Sequence, residues 1–174
     1  MLEKLAEALR AEGMSVRWVD DAAQAGTLDG ADFDVAAFGR GIDAATRNDL
    51  RKALSARNPK LAFVEGLAPI IPLLVDQVLY ARAEAAGAPR ALADFAWQEG
   101  GKLEFSFRLD RDCEVEIDLH HLNPLYMARR VSLYRGRQPA GECRIATGRR
   151  LPRFGESYVS VRAEGRVAAV ERLK

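Results

Sequence analysis

Six consecutive residues, Gly39-Arg40-Gly41-Ile42-Asp43-Ala44, carry the spacing G-x-G-x-x-G/A by which a strand turns into a helix around a pyrophosphate. The chemistry of such a turn is electrostatic. Backbone N–H groups and a helix N-terminus face the anion, and the glycines let it come close. The apolar run Phe33–Phe38 precedes the turn and a helical pattern opens at Ala44, so the context that the motif demands is met. Glu65 closes the next apolar run, about where a ribose-binding carboxylate would sit. Gly39, Arg40, Gly41, Asp43 and Glu65 are therefore the candidate cofactor-binding residues, with NAD(P) as the ligand. Two residues speak against it: Asp43 puts a negative charge beside the phosphates, and Ala44 replaces the third glycine. A simpler use of the same stretch is a turn at Gly39–Gly41 and a helix cap at Asp43.

No catalytic constellation accompanies this turn. No tyrosine has a lysine four residues on; Tyr126 has Arg130 at that spacing, and an arginine cannot act as a lowered-pKa base. Neither G-x-S-x-G nor H-E-x-x-H occurs. His120-His121, with Cys113, Glu116, Asp118 and Cys143, is the one group with metal-ligand chemistry. On a strand, however, successive side chains point to opposite faces, so the two histidines diverge and Cys113 lies opposite His120. The expectation is a buried thiol and a solvated outer ladder of Glu114, Glu116, Asp118 and His120, with Arg130 bridging to it from a neighbouring strand.

Charge narrows the partners. Lys and Arg total 26 against 25 for Asp and Glu, which lacks the cationic surplus of a nucleic-acid binder. The cations are uneven: eight arginines and a single acid, Glu142, lie between Arg129 and Arg153. Arg135, Arg137, Arg144, Arg149, Arg150 and Arg153 are expected largely in turns. No apolar run approaches the ~20 residues of a membrane span, and the N-terminus does not read as a signal peptide, so no membrane partner and a cytoplasmic location are expected. Two cysteines build no disulfide framework.

The elements that would position these residues fall into two groups. Residues 1–86 read as helix (Leu2–Glu12, stopped by Gly13), strand (Val16–Val19), strand (Phe33–Phe38), helix (Ala44–Arg57, burying Ala45, Leu50, Ala53 and Leu54), strand (Leu61–Glu65) and helix (Ile70–Ala86). Short apolar strands alternating with amphipathic helices imply parallel pairing in a small three-layer α/β domain. Gly87 and Pro89 mark a hinge. Beyond it, in residues 93–174, the period changes to two. Leu103–Leu109, Cys113–His120, Met127–Tyr134, Tyr158–Arg162 and Val167–Leu173 read as strands of an antiparallel β-sandwich, with a hairpin at Glu164-Gly165.

The pattern from Leu2 to Asp20 resembles the first helix and second strand of a Rossmann-like domain, dehydrogenase-like or receiver-like, whose first strand is absent. The resemblance implies a gap that a later strand or a partner chain would fill. Receiver phosphotransfer is disfavoured, because Gly39 stands where a phosphorylatable acid would be. The run Gly155–Arg162 with its closing hairpin resembles the last strands of bacterial Ig-like sandwiches, which implies an interaction module. The leading functional expectation is a non-enzymatic two-domain protein whose sandwich mediates self-association, most simply as a homodimer, or protein-partner binding. The alternative is a NAD(P)- or nucleotide-binding protein, such as a dehydrogenase-like enzyme fragment.

Overall fold

The computed structural model describes residues 2–66 and 68–173. The chain divides into two compact units, Met1–Ala88 and Pro89–Lys174, with the change at the Gly87–Pro89 hinge.

In the first unit, α1 (Leu2–Ala11) ends where Gly13 N–H and Met14 N–H donate to the carbonyls of Arg10 and Leu9. The strand expected at Val16–Val19 does not form: residues 14–19 carry no regular secondary structure and join no ladder among the described residues. A strand exists only by pairing, and this run has no described neighbour to pair with. A short α2 (Ala22–Gly26), capped by Asp21, and a 3₁₀ turn (Gly30–Asp32) lead into β1 (Val35–Phe38). Then come α3 (Ala44–Arg57), β2 (Ala62–Glu65) and α4 (Ile71–Ala85), with Pro72 in the first turn of α4, where its missing N–H costs nothing.

β1 and β2 pair in parallel, Val35 to Ala62 through Phe38 to Glu65. One face, with Val35 and Val64, packs on Leu9 of α1 and Val75 and Val78 of α4. The other carries the stacked rings of Phe38 and Phe63, with Arg51 of α3 over both. Only Leu50 and Leu54 of α3 are buried; Ala45 and Ala53, expected to join them, are exposed. Two strands offer α3 too narrow a surface to cover a wider stripe.

The second unit is antiparallel throughout. β3 (Leu92–Glu99), β4 (Leu103–Leu109) and β7 (Gly141–Ala146) form one sheet in the order β3-β4-β7. β5 (Cys113–Leu122), β6 (Ala128–Gln138), β8 (Glu156–Ala163) and β9 (Arg166–Arg172) form another, in the order β6-β5-β8-β9. One core joins the sheets: Leu103, Phe105 and Phe107 from the first meet Val115, Ile117, Val159 and Val161 from the second. Glu164 and Gly165, both with positive φ, make the expected hairpin between β8 and β9. Arg135 and Arg137 lie on β6 and Arg144 on β7, not in turns; only Arg149, Arg150 and Arg153 occupy a loop. Among the described residues no helix is long and apolar enough to cross a membrane.

Candidate functional site

The carboxyl ends of parallel strands are where open α/β sheets bind ligands, and a cavity of about 280 Å³ lies there. Gly39, Arg40 and Gly41 follow β1 and line it together with Gly66, which follows β2. Leu5, Leu74 and Val78 from the flanking helices make much of the rest of an apolar wall. Gly66 N–H donates to Phe38 O at 3.0 Å, holding the two strand ends together. Neither Gly39 nor Gly41 has a positive φ, and a Cβ at either would meet nothing within 4 Å. The turn itself therefore places no demand for glycine; a larger residue at either position would change only what can approach from outside.

Asp43 and Glu65 lie outside this cavity. The Asp43 carboxylate caps α3, accepting from Ala45 N–H and Thr46 N–H at 3.0 Å and from the Thr46 hydroxyl at 2.6 Å. These bonds, that from the Thr46 side chain first, hold its carboxyl below the usual aspartate range. The helix N-terminus that would face a phosphate thus already holds an anion of its own. Glu65 is clamped by two cations of α3, Arg47 at 2.7 Å and Arg51 at 2.8 Å, while Arg47 also donates to Ile42 O. Its oxygens tie β2 to α3. Of the five candidate residues, three line the cavity and two are spent on the scaffold.

A second void, about 220 Å³, adjoins the first and shares Leu5, Ala37, Phe38 and Val78 with it. It runs between residues 14–21 and β1, roofed by Leu9 of α1 and floored by Leu50 and Leu54 of α3. No sequence motif announced it. Its trace is the unusual exposure of Ala37, in the middle of a strand flanked by helices. Asp34 O and Phe38 O bond toward β2, so the backbone groups of Val35 and Ala37 point the other way, into this slot. Among the described residues β1 pairs on one edge only.

No protein-family model matches the chain, and no curated protein and no solved structure is significantly similar to it.

In the β unit the metal-type residues do not converge. Cys113 and Cys143 are buried in the core, where burial pushes both thiols above their ordinary range. The outer face of β5 departs from a solvated ladder: Asp118 and His120 are buried, at 4 % and 0 % exposure. Arg130 donates to Asp118 at 2.6 Å, the bridge anticipated from sequence, and His120 Nε2 faces Ser160 Oγ at 2.9 Å. Strand neighbours supply polar partners that a single-strand pattern cannot reveal. His121, on the opposite face, meets Ser157 Oγ at 3.1 Å.

Proposed function

We propose that this chain is a non-enzymatic binding protein that captures an extended apolar segment beside β1, completing the parallel sheet by strand addition. The observation that carries this reading is the slot itself, in which a bare strand edge faces residues 14–21 across an apolar void. In doubly wound sheets of the order 2-1-3-4, the first strand lies between the second and the third. With α1 standing for the first helix, residues 16–19 hold the second strand's position and β1 the third, so the void falls where a first strand would lie. A strand buried between helix layers is apolar on both faces. The occupant expected is therefore a proline-free run of four or five β-branched residues, bonded to Val35 and Ala37.

Selection of displayed random heptapeptides on the full chain tests this. Enrichment of β-branched runs is expected, together with slowed amide exchange at Val35 and Ala37 when a selected peptide binds. An Ala37→Pro variant, which removes a donor aimed into the slot and leaves the β2 ladder intact, is expected to lose the peptide. Absence of any such consensus, or strong protection at Val35 and Ala37 without peptide, would refute the reading.

The cavity's position at the strand ends favours a second reading, NAD(P) or nucleotide binding at Gly39–Gly41. Asp43 and the clamped Glu65 oppose it, and about 280 Å³ is just below the usual ~300–1,000 Å³ of ligand pockets. A thermal-shift series with NAD, NADP and mononucleotides decides. At ~100 times its dissociation constant a true ligand stabilises by ~2.7 kcal/mol, and Gly41→Val should abolish that gain.

A further inference from the structure

One end of the β unit holds large apolar side chains out in water on a stiff support. The β5–β6 turn exposes Leu125 by 76 %, Tyr126 by 77 % and Met127 by 56 %, and the β7–β8 loop exposes Phe154 by 67 %. The turn is knitted from within. Asn123 Oδ1 accepts from Leu125 N–H at 3.0 Å and Met127 N–H at 2.9 Å, and Asn123 N–H donates to Met127 O at 3.1 Å. Tyr126 sits at φ +58°, a left-handed conformation that a bulky residue adopts at a cost. Asparagine would suit that backbone better, yet the position carries an aromatic ring aimed at solvent. Phe154 belongs to the same end. Gly155 presses on the base of the turn so closely that a Cβ would come within 2.3 Å of Leu122 O and 3.1 Å of Asn123 Cα.

Cations lie in the same segments, and the Arg153 guanidinium sits 5.6 Å from the Phe154 ring. Arg129 is the second residue of β6, just after the turn, and Arg149, Arg150 and Arg153 share the loop with Phe154. Leu103 N–H donates to Arg149 O, which fixes that loop at the end where β4 begins. The one acid between Arg129 and Arg153, Glu142, pairs in register with Arg108 toward the far end of the sheet. Four acids share this end: Glu99 accepts from Leu151 N–H, Glu104 from the Gln98 side chain and Glu156 from the Tyr158 hydroxyl, and Glu171 lies near the end of β9.

We infer that this tip docks on an anionic lipid bilayer, with Leu125, Tyr126, Met127 and Phe154 entering the interface and the arginines meeting the headgroups. Large apolar side chains with cations in the same segments match a surface that is apolar beneath and negative above. A nucleic acid would stack on Tyr126 and Phe154 but has no use for Leu125 and Met127. That no described helix is long and apolar enough to cross a membrane does not bear on such peripheral contact.

Sedimentation of the full chain with vesicles tests the inference. Binding is expected to vesicles of phosphatidylcholine with about a third phosphatidylserine, to weaken with salt, and to be absent on phosphatidylcholine alone. Leu125→Ser with Met127→Ser should cut partitioning by roughly tenfold or more with an unchanged melting curve. Tyr126→Asn should weaken binding while raising the melting temperature, because it relieves the left-handed strain; a purely structural residue would not move the two in opposite directions. No binding of the parent chain, full binding by the double variant, or equal capture of single-stranded oligonucleotide or polyglutamate would each overturn the proposal.

Discussion

The two units treat the edges of their sheets differently. In the β unit two of the four edges carry visible guards. β6 carries Arg129, Arg130, Arg135 and Arg137 along its length, and β3 is broken by a bulge between Ala93 and Ala96, with Asp94 at φ +54°. Charges and bulges of this kind stop a foreign strand from pairing. The exposed edge of β1 has neither device: Val35-Ala36-Ala37-Phe38 is uncharged, unbulged and backed by a void. The strand addition proposed above draws support from this contrast, because the β1 edge is the bare one that faces a void. The lesson is that an unprotected edge is informative only beside protected ones.

The comparison breaks most sharply in the cores. Ile117→Ala, at a site of 0 % exposure between the sheets, is expected to cost ~3–5 kcal/mol in urea unfolding followed by Trp97 fluorescence. Val35→Ala, half-exposed on the slot, should cost less than ~1 kcal/mol, read through Trp18, which lines the same void. Equal costs would mean that the slot is packed, and the contrast would vanish. Proline extends the test to the backbone. Ala37→Pro should change stability by less than ~1 kcal/mol, whereas Leu119→Pro on β5, paired on both sides, should cost ~3 kcal/mol or more.

The thiols give a smaller, pH-dependent difference. Burial pushes the pKa values of Cys113 and Cys143 above the ordinary thiol range. The unfolded chain releases those protons near the ordinary thiol range and the folded chain does not. Their contribution is therefore full below about pH 8.5 and fades as the pH rises above it. Alkylation at pH 8 should proceed only at the rate of unfolding; fast labelling of the native chain would mean that the β core is less closed than its burial implies.

Sequence pattern was strongest where one residue's neighbours in the chain decide its fate. The helices from Leu2, Ala44 and Ile71, the parallel pair β1–β2, and β4 and β5 all follow from period and caps. β3 escaped because its bulge shifts the inward set: Leu92 and Phe95 pack inward three residues apart, which breaks the alternation. β7 escaped because only Cys143 and Ile145 face the core, among polar residues that read as loop. The burial of Asp118 and His120 depends on Arg130 and Ser160, which lie 12 and 40 residues away. The same limit governs the candidate site. Gly39, Arg40 and Gly41 were findable from a motif, but the engagement of Glu65 by Arg47 and Arg51 is tertiary, and the slot beside β1 is lined by residues as far apart in the chain as Leu9 and Val78.

Asp43 offers the mildest test and the one that bears on both readings of the turn. Its carboxylate satisfies the first N–H groups of α3, so Asp43→Ala should lower the melting temperature modestly at pH 7. Because the folded-state pKa lies below the unfolded one, this contribution is present above the ordinary aspartate range and is lost as the pH falls through the folded value. The parent and the variant should therefore converge in acid, and a gap that persists at pH 2 would show that the cap acts through something other than its charge. Removing the carboxylate also vacates the helix N-terminus. If the Gly39–Gly41 turn were built for a phosphate, Asp43→Ala should gain nucleotide affinity as it loses stability; if α3 needs its own anion because the turn serves only the scaffold, the variant should lose stability and gain nothing.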